Sequence, residues 1–174
     1  MNEYRKLVIW PVVAVVLIGI VLGTYTYVRT TGDTLNGTTI EIPADIAAHI
    51  VSKSDLVVLE SPAPFSMITS PLTVRGQARG VWYFEATFPI TLVDWDGRII
   101  AESYASAILD PSNPESTWMT SEFVPFEGTL IFDVPPDAGD FSRRGALILQ
   151  KNNPSGLPEH DDALEIPIMF EDAE

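Results

Sequence analysis

The feature that most constrains this chain is an uninterrupted apolar run near its N-terminus. Residues 7–28 read LVIWPVVAVVLIGIVLGTYTYV and contain no charged side chain. At a rise of about 1.5 Å per residue, a helix of this length crosses the roughly 30 Å hydrocarbon core of a bilayer. Trp10 near its start and Tyr25 and Tyr27 near its end suit the two membrane interfaces. We therefore predict one transmembrane helix, embedded in the lipid bilayer.

The flanking charges predict the orientation of this helix. Arg5 and Lys6 precede it and only Arg29 follows it, so the positive-inside bias places residues 1–6 in the cytoplasm. A cleaved secretory signal is the alternative, but the apolar run is longer than a usual signal core and no A-x-A-like site follows it. We predict a single-pass protein of the cell membrane with its C-terminal domain extracytoplasmic.

Composition limits the remaining possibilities. The chain has 174 residues, enough for one domain with an anchor and a tether, and a formal charge of −14. Residues beyond 29 carry seven bases against 23 acids, a formal charge of −16. Such a field repels phosphate backbones, so we expect no nucleic-acid partner. The absence of cysteine excludes disulfides, thiolate metal sites and a cysteine nucleophile.

Residues 29–54 have the composition of a linker or stalk. The segment TTGDTLNGT is small, polar and glycine-bearing, which is typical of flexible linkers. Pro43 can start a helix, and apolar residues then recur at helical spacing from Ile46 to Val51. We predict a weak short helix within the stalk.

From residue 55 to residue 174 the pattern becomes that of an all-β sandwich. Short apolar segments alternate with turns rich in proline, glycine and aspartate. Asp96-Gly97 between two apolar runs predicts a hairpin, since glycine supplies the positive φ of a tight turn. We predict about seven antiparallel strands, at 55–60, 72–79, 83–94, 98–106, 127–134, 145–151 and 163–170.

Sandwich topology then brings the least common residues to one end. If consecutive strands are antiparallel, the connections 79–83, 107–126 and 152–162 leave the second, fourth and sixth strands at the same end of the sandwich. We name this end the Arg79 pole and take it as the candidate binding surface. Its candidate residues are Arg79, Trp82, Trp118, Met119, Glu122, Asn152, Asn153 and Glu159.

A structural interpretation of the same residues is favoured until exposure is known. Large aromatic side chains near strand ends usually close a sandwich. An arginine beside acids such as Glu122, Asp161 and Asp162 is more often a paired structural charge than a ligand contact. Exposed aromatic side chains would instead indicate a binding surface.

Three segments resemble one known family. They are SPAPFSMITSPLTVRGQARGVWYFEATFPITLVDWDGRIIAE, WMTSEFVPFEGTLIF and LILQKNNPSGLPEHDDALEIPIMF, which together span about residues 55–170. The S-P-L-x-V-x-G-x-A-R-G run, the F-E-x-x-F-P run and the N-P-S-G turn are similar to those of the immunoglobulin-like domain associated with bacterial spore germination. The resemblance implies an immunoglobulin-like sandwich in an envelope or surface protein, and it implies no enzymatic activity or catalytic residue.

The chain has few residues suited to catalysis. Its two histidines are His49, in the stalk and away from the domain core, and His160, in the last loop. His160 lies near Ser155 and Asp161, but one irregular loop does not establish the geometry of a triad and no nucleophile elbow is present. We predict that the protein is not an enzyme and has no cofactor.

The acidic last loop is a weak candidate for calcium. Glu159, Asp161 and Asp162, with Asn153, could supply oxygen ligands to a hard cation. Their spacing matches no known calcium loop, so a solvated loop is the preferred interpretation.

The sequence as a whole predicts a bacterial, membrane-anchored, non-enzymatic module that mediates protein or envelope-glycan interaction at the cell surface. Two alternatives remain open. One is a structural accessory subunit of an envelope complex, and the other is a calcium-dependent binding domain.

Overall fold

The computed structural model describes residues 42–134 and 141–171. These residues belong to one compact unit that begins at Ile42. The predicted membrane segment 7–28 and linker 30–38 lie outside the described residues. Within the described ranges, no helix is both long enough and apolar enough to cross a membrane.

Helix α1 spans Ala44–Lys53 and corresponds to the short helix predicted in the stalk. Pro43 precedes its first residue, Asp45 lies in its first turn and Lys53 in its last, so both charges complement the helix dipole. The Pro43 carbonyl accepts the first helical hydrogen bond from the Ala47 N–H at 2.9 Å. Proline and favourable end charges therefore account for a helix of only ten residues.

Helix α1 packs against the C-terminal strand of the domain. His49, expected to lie away from the domain core, accepts a hydrogen bond through Nε2 from the Glu165 backbone N–H at 3.1 Å. Lys53 forms an ion pair with Asp162, and Ile50 packs against the core. The expectation for His49 was therefore wrong, because the helix covers part of a strand edge whose N–H groups need acceptors.

Eight strands form the β-structure of the described residues. Their bounds are β1 Val57–Ser61, β2 Met67–Ile68, β3 Leu72–Arg79, β4 Thr87–Asp94, β5 Ile99–Ala107, β6 Phe123–Leu130, β7 Arg144–Gln150 and β8 Ala163–Phe170. Hydrogen bonding joins them into one sheet with the order β1-β3-β6-β5-β4-β7-β8-β2. The two outermost strands are consecutive in the chain, so the sheet curls until its two edges approach each other.

The sheet departs from the predicted seven antiparallel strands in two ways. The two-residue strand β2 was not predicted, and it pairs parallel to β8, which makes the sheet mixed. The two layers of the sandwich are also continuous, since Ala105–Ala107 of β5 pair with Phe126–Gly128 of β6. A two-residue strand has too little alternation to be recognised in sequence.

The predicted bounds of two strands differ from the observed bounds by four residues, at the start of β4 and at both ends of β6. Residues 83–86 are not part of β4, because Phe84 and Thr87 close a tight turn in which Glu85 and Ala86 have φ of 51° and 61°. Neither residue type signals positive φ. Strand β6 begins at residue 123 and not at 127 because Pro125, which would be expected to interrupt a strand, pairs opposite Gln77 of β3.

Alternating residues of the strands fill one core. In β4 the alternate side chains Phe88, Ile90 and Leu92 are fully buried, and β8 follows the same pattern. Phe88 contacts both Tyr83 and Phe126 edge to face, with ring centroids 5.3 and 4.9 Å apart. Because β3, β5 and β7 run in the same direction, their C-terminal ends lie at the Arg79 pole.

Candidate functional site

Backbone hydrogen bonds hold the three connections of the Arg79 pole together. The Gly80 N–H donates to the Thr120 carbonyl at 3.1 Å, and the Asn152 N–H donates to the Trp82 carbonyl at 3.0 Å. A Cβ added at Gly80 would overlap the carbonyl oxygens of Trp118 and Thr120, so this approach requires glycine. The expected convergence of the three connections is thus observed.

Arg79 acts as a structural tie at this pole. Its Nη2 donates to Asp55 Oδ1 at 2.8 Å, its Nε donates to the Asp55 carbonyl, and its Nη1 donates to the Ser121 carbonyl at 2.6 Å. The guanidinium carbon also lies 4.5 Å from the centroid of the Phe123 ring. Arg79 pairs with Asp55, and not with the acids expected from sequence. Its guanidinium group therefore stabilises the domain itself.

The two tryptophans of the Arg79 pole do not form an exposed aromatic surface. Trp82 is fully buried in the core, and its indole Nε1 has no hydrogen-bond partner among the described residues. Trp118 is half-buried and packs against the same core. Trp82 was therefore wrongly assigned to a surface, because the 3-10 turn Gly80–Trp82 directs its ring inward.

Asn152 and Asn153 hold the backbone of the last loop. The Asn152 Nδ2 donates to the Thr87 carbonyl at 3.2 Å. The Asn153 Nδ2 donates to the Leu157 carbonyl at 2.8 Å and to Asp161 Oδ1 at 2.7 Å. These hydrogen bonds satisfy backbone carbonyl groups that no neighbouring strand satisfies.

The remaining polar candidates do not assemble a reactive centre. Ser155 Oγ donates to Asn153 Oδ1, and no hydrogen bond joins it to the His160 imidazole within the described residues. Glu159 and His160 are exposed on the short 3-10 turn Pro158–His160. The structure brings Ser155 and His160 into one loop without the contacts of a catalytic triad.

The acids of the last loop have other partners. Asp161 accepts from Asn153, while Asp162 Oδ1 accepts from Lys53 Nζ and from the Ala163 N–H. Residues 42–134 and 141–171 contain no group of three or more histidine, aspartate or glutamate side chains placed to hold a metal ion. The calcium site considered from sequence has no geometric support in this part of the chain.

Apolar side chains make up much of the exposed surface at the Arg79 pole. Met119 is 71% exposed and Val81 is 60% exposed, and the backbone contact between Gly80 and Thr120 brings their segments together. Phe84 and Ile108 are also exposed, in segments joined by the hydrogen bond from the Ala107 N–H to the Ala86 carbonyl at 2.8 Å. Of the residues predicted from sequence, only Met119 belongs to this apolar group.

Exposed acids belong to the same segments or to segments bonded to them. The Asp55 side chain is 86% exposed, and Glu85 and Glu122 are also exposed. The pole therefore presents exposed apolar side chains together with exposed carboxylates, and protein interfaces combine both kinds of group.

A second group of exposed aromatic side chains lies at the opposite end of the sheet. We name residues 95–98 and 141–144 the Trp95 pole. Trp95 and Phe141 are each about half exposed, and their ring centroids are 4.8 Å apart in an edge-to-face arrangement. Sequence reasoning missed this pair because Phe141 lies 46 positions from Trp95, in a different connection.

Asp94 makes the Trp95 turn rigid. Its buried carboxylate accepts hydrogen bonds from the Asp96 N–H at 3.0 Å and the Arg98 N–H at 2.9 Å, and Arg98 Nε lies 3.4 Å away. Burial alone would raise the pKa of Asp94, but the hydrogen bonds from the Arg98 and Asp96 amides and the Arg98 charge lower it below its ordinary value. Gly97 completes the turn at a φ of 76°.

Comparison with known proteins indicates the family of this domain. Residues 56–143, just over half of the chain, match the family model described as the immunoglobulin-like domain of bacterial spore germination. The match covers β1 to β6 and ends at Arg143, while β7 and β8 complete the sheet outside it. Comparisons with curated proteins and with solved structures found no match. The matched range and the curled β-sheet together show that this chain belongs to the family of immunoglobulin-like domains of bacterial spore germination.

Proposed function

We propose that this protein is a non-enzymatic, membrane-anchored module whose immunoglobulin-like domain binds a protein partner outside the cytoplasm through the Arg79 pole. The single observation that carries the proposal is the exposed apolar group at this pole. Family membership is consistent with a binding or structural module.

The membrane part of the proposal rests on sequence. Residues 7–28 are free of charged side chains and long enough to span a bilayer, and the basic residues before them favour a cytoplasmic N-terminus. An acidic domain on the outer side is kept soluble by its own charge. The proposed location is therefore the outer face of the cell membrane.

The apolar group favours a protein partner. Exposed apolar side chains that lie together, and not singly, are a mark of interaction surfaces. Val81, Phe84, Ile108 and Met119 are exposed in segments that hydrogen bonds hold side by side. The exposed carboxylates of the pole favour a partner with apolar and basic side chains, because like charges on the partner would oppose association.

The polar candidates at the same pole contribute by fixing its shape. Arg79 and Asn152 bond to backbone carbonyl groups of neighbouring segments, and Asn153 bonds to the Leu157 carbonyl within its own loop. The connections are thus ordered before a partner binds, which lowers the entropy cost of association.

The test is a comparison of partner recovery from membranes of the producing organism. The double substitution Val81→Ser with Met119→Ser removes apolar surface at the pole without changing a core residue. Ile131→Ser is the matched control, since Ile131 is 78% exposed and follows β6 at the other end of the sheet. We expect the double variant to lose at least about tenfold in recovery of a specific partner, as expected when interface anchors are truncated, while the control retains it.

Three outcomes decide the proposal. Equal recovery by the double variant and the control would remove the Arg79 pole from consideration. A fixed-ratio membrane complex that the double variant also retains would support the alternative of a structural accessory subunit. Finding the full chain in the cytosolic fraction would overturn the membrane part.

A further inference from the structure

The Trp95 pole concentrates positive charge in an acidic domain. Seven basic residues lie beyond residue 29, against 23 acids. Lys53, Arg75 and Arg79 form ion pairs with Asp162, Glu127 and Asp55. Two further bases, Arg98 and Arg144, are exposed and belong to the Trp95 pole, where Arg98 also pairs with Asp94.

Strand register brings Arg144 to the same end of the sheet as Trp95, and Arg98 belongs to the Trp95 turn itself. Asp94 at the end of β4 pairs with Gly145 of β7, so Trp95 and Arg144 lie at the same end of two neighbouring strands. The Arg144 N–H donates to the Phe141 carbonyl at 3.1 Å, which closes the turn that carries Phe141. The Arg98 side chain is 74% exposed and contacts Asp94 only weakly, at 3.4 Å through Nε.

Contacts within the domain hold the side chains of the Trp95 pole. The buried Asp94 carboxylate holds the 95–98 turn, and Phe141 packs its ring at 81° to that of Trp95. Half of the Trp95 surface nevertheless remains in water. A fixed aromatic face beside arginine forks and the exposed Asp96 carboxylate can therefore bind a ligand with little loss of conformational entropy.

We propose that the Trp95 pole is a binding site for an acidic saccharide, that is, a sugar ring that carries a carboxylate or phosphate group. The apolar face of the sugar ring packs against the exposed rings of Trp95 and Phe141, because aromatic rings offer large apolar contact surfaces. Its anionic group pairs with Arg98 and Arg144, whose planar guanidinium groups match carboxylate and phosphate oxygens. Asp96 accepts hydrogen bonds from sugar hydroxyl groups.

The charge distribution favours a small ligand. A formal charge of −14 repels extended polyanions, anionic membranes and acidic proteins at long range. A short oligosaccharide can place one anionic group on Arg98 and Arg144 and direct hydroxyl groups towards Asp96, while acids farther away than a Debye length of about 8–10 Å are screened by salt. This site lies at the opposite end of the sheet from the Arg79 pole, and it goes beyond the proposed function.

The experiment measures saccharide binding to the full chain in detergent micelles by calorimetry and by ligand-observed NMR. The probes are trigalacturonic acid, glucose 1-phosphate, the neutral trisaccharide maltotriose and inorganic phosphate. We expect saturable binding of one of the first two probes in about the millimolar range or tighter. The preferred probe identifies the anionic group as carboxylate or phosphate, and maltotriose and inorganic phosphate bind at least about fivefold more weakly.

Matched variants locate the binding. Trp95→Ala is expected to weaken it about tenfold or more, the loss typical of an aromatic stacking contact, and Trp95→Phe to retain part of it. Tyr104→Ala is the control, because Tyr104 is another exposed aromatic residue, 62% exposed in the middle of β5. Arg144→Gln should weaken binding about threefold to fivefold and reduce its salt dependence, whereas Arg75→Gln on β3 should not.

The results separate this inference from the proposed function. Failure of both acidic probes to bind up to about 10 mM, or binding that survives Trp95→Ala, would overturn the saccharide site. Equal binding of maltotriose or of inorganic phosphate would overturn it as well. The double variant at Val81 and Met119 must keep saccharide binding, while Trp95→Ala must keep recovery of the protein partner.

Discussion

The two poles of the sheet place similar side chains in opposite environments. At the Arg79 pole, Trp82 is fully buried and Arg79 bonds to two other segments. At the Trp95 pole, Trp95 is half exposed and Arg144 lies on the surface. Residue type alone therefore does not distinguish a structural tie from a binding surface.

The two poles satisfy the backbone groups of their connections in different ways. Fifteen residues separate β5 from β6 at the Arg79 pole, and their backbone groups need hydrogen-bond partners. Side chains such as Arg79 supply them. Only four residues separate β4 from β5 at the Trp95 pole, and the Asp94 carboxylate satisfies that turn. Its other side chains are left to face solvent.

The largest expected effect contrasts the two tryptophans. Trp82→Ala leaves a cavity in the core and should lower the free energy of unfolding by about 3–5 kcal/mol. Trp95→Ala should change it by about 1 kcal/mol or less, since Trp95 is half exposed. Chemical denaturation of both variants measures this difference, and equal losses would contradict the contrast between the poles.

The close approach at Gly80 should show the next effect. Gly80→Ala forces a Cβ against two backbone carbonyl groups that cannot move independently, so we expect a loss of roughly 1–3 kcal/mol in the free energy of unfolding. A Cβ at Gly156 meets no atom within 4 Å. Gly156→Asn is the control because asparagine tolerates the positive φ at that position. If Gly80→Ala leaves the free energy of unfolding unchanged, residues 118–120 do not pack against Gly80.

The arginines of the two poles give a smaller contrast. Arg79→Ala removes bonds to Asp55 and Ser121 and should cost about 1–2 kcal/mol, allowing for the partial exposure of this side chain. Arg144→Ala should leave the thermal midpoint nearly unchanged. If both substitutions destabilise the domain equally, Arg144 has a structural role that the proposed saccharide site does not accommodate.

The smallest expected effect depends on pH. The pKa of Asp94 is lowered in the folded protein, against about 3.9 for an unfolded aspartate, so its ionised form stabilises the domain above about pH 4. This contribution is lost as the pH falls through the lowered folded-state pKa. Asp94→Asn should cost about 1 kcal/mol at pH 7, and the difference from the unchanged protein should shrink as the pH falls below about 4.

A matched substitution tests whether this pH dependence arises from Asp94. Asp96→Asn changes the exposed neighbour in the same turn, and we expect little change in the unfolding midpoint at either pH. A difference between Asp94→Asn and the unchanged protein that stays constant between pH 7 and pH 3 would show that the charge of Asp94 does not stabilise the turn.

Much of the fold could be predicted from local pattern. The bounds predicted for β3 and β8 agree with the structure, and the Asp96-Gly97 hairpin joins β4 to β5 as expected. The shift of β6 and the turn at Glu85 and Ala86 could not be predicted in this way. Partner strands stabilise Pro125 within β6 and positive φ at two ordinary residues, although both are unfavourable locally.

The candidate site was predicted less well than the fold. Topology correctly gathered the three connections at one end, but Trp82 lies in the core and Arg79 pairs with Asp55. The exposed apolar residues Val81 and Phe84 were missed, as was the contact between Trp95 and Phe141. Exposure depends on which long-range contacts form, and a single sequence does not specify them.

Composition and periodicity by themselves determined the charge-free segment at residues 7–28, the acidity of the domain and its β-strand class, because each depends on residues that are near one another in sequence. The tertiary structure alone decided which tryptophan is buried, which acid pairs with Arg79 and which aromatic rings meet at the surface. These properties depend on contacts between distant segments, such as Arg79 with Asp55 and Trp95 with Phe141, which form only when the sheet curls.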